Sequence, residues 1–114
     1  MSRTERIAEL IKKEVSMIIR ERVSDPRIGF VSLTDVDVPP DLKTAKIFFS
    51  VLGDETVKKN TIKGLKSATP FIRGELAHKL EIRFVPKIFF VYDKSLERGS
   101  NVLSIMNKIE SEKN

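Results

Sequence analysis

The spacing of hydrophobic residues changes along the chain and predicts alternating helices and strands. From about Thr4 to Arg22 these residues recur at three- and four-residue steps, which is typical of one face of an amphipathic helix. The pattern predicts a first helix with Thr4 as its N-cap, ending before Ser24-Asp25-Pro26 because proline disfavours helix in the residue before it. The opposite face is charged, so the hydrophobic face is predicted to enter the core. Its charged residues are Arg6, Lys13 and Arg20.

Two strands joined by a turn are predicted next. Phe30 to Val38 is rich in β-branched residues, and Lys43 to Val51 alternates between hydrophobic and polar positions. Pro39-Pro40-Asp41 is predicted to be a turn, because two consecutive prolines cannot both lie in a ladder of hydrogen bonds. The two strands are therefore predicted to form an antiparallel hairpin, with Lys43 and Lys46 on its solvent side or rim.

A pair of helices joined at a kink is predicted in the middle of the chain. The first of them runs from a cap at Asp54 to about Ala68, and helical spacing resumes from Phe71 to Lys79. Pro70 lacks an amide hydrogen and its ring clashes with the preceding turn, so the helix is expected to kink or restart there. The residues of the kink are Ala68, Thr69 and Pro70.

A third strand from about Glu81 to Tyr92 and a last helix from Ser95 to about Ile109 complete the pattern. Pro86 favours an edge or bulged position near the middle of the strand, and Ser95 is predicted to cap the helix. Helices that cover three strands form a two-layer α+β sandwich, in the order α-β-β-α-kink-α-β followed by a C-terminal helix. Residues 1–110 are predicted to be a single domain, and residues 111–114 a short polar tail.

The composition narrows the class of protein. A chain of 114 residues with 40% hydrophobic and 32% charged residues is typical of one globular domain. The start of the sequence is charged, no apolar run approaches the roughly 20 residues of a membrane span, and cysteine is absent. We therefore expect a cytoplasmic protein without membrane association or a thiolate metal site. The net charge of +5 suits a polyanionic partner, although charge alone leaves that question open.

Few residues could carry catalysis. His78 is the only histidine, and its expected position is a helix end or the surface. Asp35 and Asp37 share one face of a strand, where they are more typical of solvated carboxylates on a hairpin rim than of a metal or acid–base pair. The sequence contains no Gly-rich phosphate loop, nucleophile elbow or Walker sequence. We expect no enzymatic activity, no metal and no cofactor.

The basic residues are more informative, because the predicted elements place them together. On the second helix Lys59 and Lys66 fall within about 60° of Lys63, and a ridge is expected to continue across the kink. The amides that follow Pro70 are expected to seat a phosphate, as at other helix starts. The alternative is a solvated helix face that only keeps the protein soluble. The predicted RNA-binding residues are Lys43, Lys46, Lys59, Lys63, Lys66, Arg73 and Lys79. Phe48 is the best candidate for stacking on a base, although packing under a helix is the favoured interpretation for it.

Four segments match a known family in order and cover most of the chain. They are residues 24–29 (Ser-Asp-Pro-Arg-Ile-Gly), 45–54 (Ala-Lys-Ile-Phe-Phe-Ser-Val-Leu-Gly-Asp), 71–76 (Phe-Ile-Arg-Gly-Glu-Leu) and 85–95 (Val-Pro-Lys-Ile-Phe-Phe-Val-Tyr-Asp-Lys-Ser). With these segments the sequence resembles the ribosome-binding factor A family of bacterial small-subunit assembly factors.

The resemblance implies a type II KH-like fold in which an Ala-x-Gly kink between helices replaces the usual Gly-x-x-Gly loop. It also implies binding to the immature small ribosomal subunit near the ends of its ribosomal RNA, in support of late maturation, including precursor processing, and notably in the cold. We expect a monomer whose partners are this subunit and its RNA. Here the kink has Pro70 where glycine is typical, so the basic side chains are expected to bind RNA more than the backbone at that residue. A protein-interaction module and an RNA-cleaving enzyme remain alternatives.

Overall fold

The computed structural model describes residues 1–80 and 84–95. Within these ranges the elements are α1 (Arg3–Glu21), β1 (Phe30–Asp37), β2 (Thr44–Leu52), α2 (Glu55–Leu80) and β3 (Lys87–Tyr92). The predicted start of the third strand at residues 81–83, the predicted last helix beyond Ser95 and the predicted tail lie outside the described residues. Neither described helix is long and apolar enough to cross a membrane.

The three strands form one mixed sheet in the order β1-β2-β3. β1 pairs antiparallel with β2, from Phe30 opposite Leu52 to Asp37 opposite Lys46, with a bulge between Leu33 and Asp35. β2 pairs in parallel with β3, and α2 makes the crossover that such a connection requires. The antiparallel hairpin and the α+β fold class predicted from the sequence are confirmed.

The core lies between the two described helices and one face of the sheet. Alternate residues of β2, namely Ala45, Ile47 and Phe49, are buried there, as the alternation of the sequence predicted. The Phe49 ring meets the rings of Phe90 and Tyr92 edge to face, with centroids 6.2 Å and 5.8 Å away. The residues that α1 and α2 bury against this face are Ile11, Val15, Ile18, Thr61, Gly64, Leu65, Ile72 and Leu76. The outer face of the sheet is not covered by either described helix.

α1 begins slightly earlier than the sequence predicted. Ser2 is its N-cap and accepts a hydrogen bond from the amide of Glu5 at 3.2 Å, so the prediction of Thr4 as the cap is wrong. Both residues have side chains that cap well, and local sequence does not separate two such residues so close together. The helix ends at Glu21, before Pro26, as predicted. The turn from α1 into β1 contains Asp25-Pro26-Arg27. The carboxylate of Asp25 accepts hydrogen bonds from the amide and guanidinium of Arg27, which fixes this turn and lowers the pKa of Asp25.

α2 is one continuous helix through Pro70, so of the two predicted alternatives, a kink or a restart, the restart is wrong. The hydrogen bond that Pro70 cannot donate would end at the carbonyl of Lys66. Lys66 and Pro70 are both exposed, so water can satisfy that carbonyl. The buried residues Leu65 and Ile72 lie on either side of the proline and stay in phase on one face. Packing of this face offsets the roughly 3 kcal/mol that proline costs inside a helix.

β3 begins at Lys87, so Pro86 lies just before the strand and not near its middle. The ladder starts with the amide of Lys87, which donates to the carbonyl of Lys43 at 2.9 Å, whereas Pro86 has no amide hydrogen to donate. The prediction of an edge strand is confirmed, because β3 pairs only with β2 among the described strands.

Candidate nucleic-acid interface

Three exposed lysines form a line along the solvent side of α2, as the sequence predicted. Lys59, Lys63 and Lys66, here called the lysine ridge, are spaced by three or four residues and face away from the buried side of the helix. From Thr56 to Gly74 the helix contains no acidic residue, so no carboxylate on α2 neutralises the ridge in this stretch. The lysine ridge is therefore a cationic line about 10 Å long, and the acidic residue of α2 that lies one turn before it is Glu55, which pairs with Lys58.

Arg73 does not extend the lysine ridge, so the ridge does not continue across Pro70 through this residue as the sequence predicted. Its Nε donates to the carbonyl of Pro86 at 3.3 Å, and its Nη2 donates to the carbonyl of Val85 at 3.1 Å. These carbonyls precede the β3 ladder and need donors, which the guanidinium fork supplies. Arg73 thus holds the chain at its entry into β3. Sequence carries no signal for this contact, since the partners are more than ten residues away.

Lys79 is also separate from the lysine ridge. Because α2 does not restart at the proline, the helical repeat places Lys79 about 140° around the axis from Lys66. Lys79 is exposed beside a groove between α1 and α2 that is also lined by acidic side chains. One of them, Glu75, lies 3.6 Å from the guanidinium of Arg22 and links the two helices. The acidic residues of the groove are Glu14, Glu21 and Glu75.

Lys43 and Lys46 are exposed at the hairpin, as predicted, but they belong to the sheet and not to the helix layer. Lys46 is on the outer face of β2, beside Phe89 of β3 and opposite Asp37 of β1. The predicted RNA-binding residues therefore lie on several surfaces instead of one. Their role in binding RNA stays a prediction.

The predicted phosphate seat at the kink is not formed. In a continuous helix the amides that follow Pro70 bond to carbonyls one turn earlier and are not free to bind a phosphate. Thr69 is half-buried, and its hydroxyl donates to the carbonyl of Leu65 at 2.8 Å. The kink residues therefore offer no free amide to a phosphate, which leaves the side chains of the lysine ridge as the cationic feature of this region.

The candidate catalytic residues belong to different layers of the fold, with Asp35 and Asp37 on β1 and His78 on α2. Asp35 and Asp37 are exposed on the outer face of the sheet, as expected for solvated carboxylates, and Asp35 accepts the amide of Val36 at 2.9 Å. His78 is exposed in the last turn of α2, which confirms the expected helix-end position. Within residues 1–80 and 84–95, no group of three or more histidine and acidic side chains could hold a metal ion.

Asp93, which the sequence analysis did not single out, joins the end of β3 to the hairpin. Its Oδ2 accepts the hydroxyl of Thr34 at 2.6 Å, and its Oδ1 accepts the amide of Ser95 at 2.9 Å. Ser95 already has helical backbone, so the capping contact comes from Asp93 and the prediction of Ser95 as the cap is wrong. The hydrogen bonds from Ser95 and Thr34 lower the pKa of Asp93. An Asp two residues before Ser is a capping pattern that could have indicated this role.

The lowered pKa of Asp93 predicts a loss of stability in acid. A carboxyl whose pKa is lower in the folded state stabilises the fold above its ordinary pKa, and this contribution disappears as the pH falls through the folded-state value. We expect the difference in unfolding free energy between the natural chain and Asp93→Asn to be largest near pH 7 and to shrink below about pH 4. Urea unfolding of both proteins from pH 7 to pH 3 measures it. A difference that stays constant with pH would contradict the assignment.

Comparison with known proteins identifies the family. The sequence profile of Ribosome-binding factor A matches residues 3–106. This chain belongs to the ribosome-binding factor A family. Ribosome-binding factor A of Halothermothrix orenii is 46% identical over 110 residues, which cover 96% of this chain and 90% of that protein. The family member from a Synechococcus strain is 48% identical over 109 residues, which cover 94% of this chain and 76% of that protein.

Solved structures of ribosome-binding factor A share the fold. The crystal structure from Thermus thermophilus matches with a TM-score of 0.70 at 17% identity, over 78% of this chain and 93% of that one. A homology model of the Thermus thermophilus protein, fitted into the cryo-EM map of its complex with the 30S subunit, matches with a TM-score of 0.65 at 17% identity, over 76% of this chain and 91% of that one. The family resemblance and the KH-like α+β fold expected from the sequence are confirmed.

Proposed function

We propose that this protein is a cytoplasmic factor that binds the free small ribosomal subunit through its ribosomal RNA and supports late maturation of that RNA. Membership of the ribosome-binding factor A family carries this proposal. It is supported by the Thermus thermophilus relative, whose homology model was fitted into the map of a complex with the 30S subunit. Precursor processing is the step that we propose it assists, acting as a monomer.

The lysine ridge would supply the affinity. Each ammonium that neutralises a phosphate releases condensed counterions, which favours binding in a way that weakens with added salt. Phosphate contacts set position and orientation, whereas selection of the site on structured RNA depends on shape and on unpaired nucleotides. A ridge of three lysines on one rigid helix fits this role, because the helix holds the charges at a fixed spacing.

The proposed role is binding without catalysis. His78 lies at the end of α2, while Asp35 and Asp37 lie on the outer face of the sheet, in the other layer. General acid–base catalysis needs such groups within hydrogen-bond reach of one reacting atom, and this arrangement separates them.

Sedimentation of cell extract on a gradient tests the proposal. We expect the protein to migrate with free small subunits and not with translating ribosomes, and to leave the complex after nuclease treatment. Distribution over all ribosomal fractions would contradict an assembly role. Retention on a protein partner after nuclease treatment would contradict RNA binding and favour the alternative, in which the lysine ridge binds an acidic protein.

A further inference from the structure

The outer face of the sheet carries aromatic and basic side chains on two neighbouring strands, of which Lys46, Lys87 and Phe89 are exposed and Phe48 and Val91 are half-buried. We call the residues Lys46, Phe48, Lys87, Phe89 and Val91 the aromatic face. They occupy alternate positions of β2 and β3, opposite the positions that enter the core. Phe89 keeps 43% of its surface exposed, whereas Ile88 beside it in the chain keeps 5%. Neither described helix packs on this face, and Phe89 is not part of the hydrophobic core that the described residues form.

The register of the parallel strands mixes aromatic and basic residues. Lys46 of β2 is directly beside Phe89 of β3, and Phe48 is directly beside Val91. Along β3, Lys87 precedes Phe89 by two residues, and its ammonium lies 5.5 Å from the centroid of the Phe89 ring. Neighbouring strands are about 4.8 Å apart, and two residues along a strand span about 6.6 Å. The Cα atoms of Phe48 and Phe89 are therefore roughly 8 Å apart. Each ring therefore has a lysine within reach.

Charge is distributed unevenly over this face. The acidic residues Asp35 and Asp37 belong to β1 and are opposite Phe48 and Lys46. β3, at the other edge of the sheet, presents Lys87 on this face and no acidic residue between Lys87 and Tyr92. A polyanion would be repelled from the β1 side and attracted along β2 and β3. The positive charge along β2 and β3 therefore makes this face suited to a nucleic acid, which a hydrophobic patch without charge would not attract.

We infer that the aromatic face binds an unpaired segment of RNA, with bases stacked on Phe89 and Phe48 and phosphates held by Lys46 and Lys87. The same combination of stacking rings and cations binds single strands with little sequence preference, because every base has a π-face. A base that stacks on Phe89 displaces the ammonium of Lys87 from the ring toward the adjacent phosphate. The inference rests on the proposed function, since it requires RNA as the partner.

The aromatic face and the lysine ridge would bind different parts of the RNA. The ridge is on the solvent side of the helix layer, and the aromatic face is on the far side of the sheet. The two surfaces therefore point away from each other. An RNA with an unpaired segment near a structured region would contact both, and the second contact would form at high effective concentration.

A tryptophan reporter tests the aromatic face directly. The chain contains no tryptophan, so Phe89→Trp in the full-length protein introduces a single one. We expect its fluorescence to be quenched, with saturation, when a short unstructured oligouridylate is added. Phe30→Trp is the matched control, because Phe30 is 72% exposed on the same face but pairs with Leu52 and not with a lysine. Quenching of both reporters alike, or of neither, would overturn the inference.

Binding measurements separate this site from the proposed function. Phe89→Ala is expected to weaken the binding of oligouridylate about ten- to a hundredfold, while Phe30→Ala leaves it unchanged. If Phe89→Ala binds oligouridylate as tightly as the natural protein, the role of the aromatic face is overturned. The proposed function would still stand, provided that charge reversal of the lysine ridge abolishes binding to small subunits. Absence of the natural protein from small subunits would overturn the proposed function. A Phe89→Trp emission that is shifted to the blue before RNA is added would show a covered face and overturn the inference as well.

Discussion

Replacement of Lys59, Lys63 and Lys66 together by glutamate is expected to weaken binding to small-subunit RNA on the order of 100-fold at physiological salt. A lysine near a strongly anionic surface contributes about 1 kcal/mol, and each 1.4 kcal/mol changes an equilibrium constant tenfold. The three side chains are exposed on one side of α2, and no acidic residue lies between them on that helix, so they contribute together. Filter binding or fluorescence anisotropy with labelled small-subunit RNA measures the loss.

A second triple variant controls for the overall charge of the protein. Arg6, Lys13 and Arg20 are exposed on α1, and their replacement by glutamate lowers the net charge of +5 by the same amount. If position matters, this variant keeps most of the affinity, because α1 carries acidic residues along the same helix. Equal losses in the two variants would mean that net charge, and not the lysine ridge, determines binding.

The salt dependence provides an independent measure of the same contacts. For a single strand the slope of log affinity against log salt is about −0.7 per neutralised phosphate, so three lysines account for a slope of about −2. Exchange of the ridge lysines for glutamine should therefore make the slope shallower by about 2. A slope identical to that of the natural protein would exclude phosphate contacts by the ridge.

Gly64→Ala is expected to destabilise the fold by about 1–3 kcal/mol, which is typical of overpacking in a core. A Cβ at Gly64 would lie 2.6 Å from Cγ1 of Ile28 and 3.4 Å from Cβ of Arg27. The segment that holds these residues cannot move away easily, since the amide of Gly29 donates to the hydroxyl of buried Thr61 on the same helix. Urea unfolding measures the loss, with the midpoint lowered at unchanged slope.

Gly74→Ala is the matched control in the same helix. Nothing lies within 4 Å of a Cβ at Gly74, so this change only raises helix propensity. We expect a gain of about 0.5–1 kcal/mol. A lower unfolding free energy for Gly64→Ala together with a higher one for Gly74→Ala would show that α2 packs at Gly64 against Arg27 and Ile28, which precede β1. Equal effects would contradict that packing.

Sequence alone predicted the elements whose pattern is local. The three- and four-residue repeat of α1 and the alternation of β2 set both elements to within a residue or two, because each pattern depends on which side chains one continuous face must bury. The Asp54 cap was also predictable, and its carboxylate accepts the amide of Val57 at 2.9 Å. Family membership followed from short segments in order, which again needs no distant contact.

Pro70 shows where local rules fail. A proline inside a helix removes one hydrogen bond, and from sequence a kink or a restart was the natural expectation. The structure keeps one helix, because Leu65 and Ile72 on the two sides of the proline are buried in the core, while Lys66, whose carbonyl lacks its amide partner, is an exposed residue. The energy of that burial comes from residues of α1 and the sheet, which a local pattern does not contain.

The positions of some basic residues could be predicted from the sequence, whereas the contacts of others depend on tertiary packing. The order of hydrophobic and polar residues by itself determined that Lys59, Lys63 and Lys66 share an exposed side of a helix and that Lys46 faces solvent, because these placements follow from the repeat of one element. Only the tertiary structure decided that Arg73 turns inward to the carbonyls of Val85 and Pro86, and that Phe89 of β3 meets Lys46 of β2. Such contacts join residues far apart in the chain, and their free energy depends on how the elements pack.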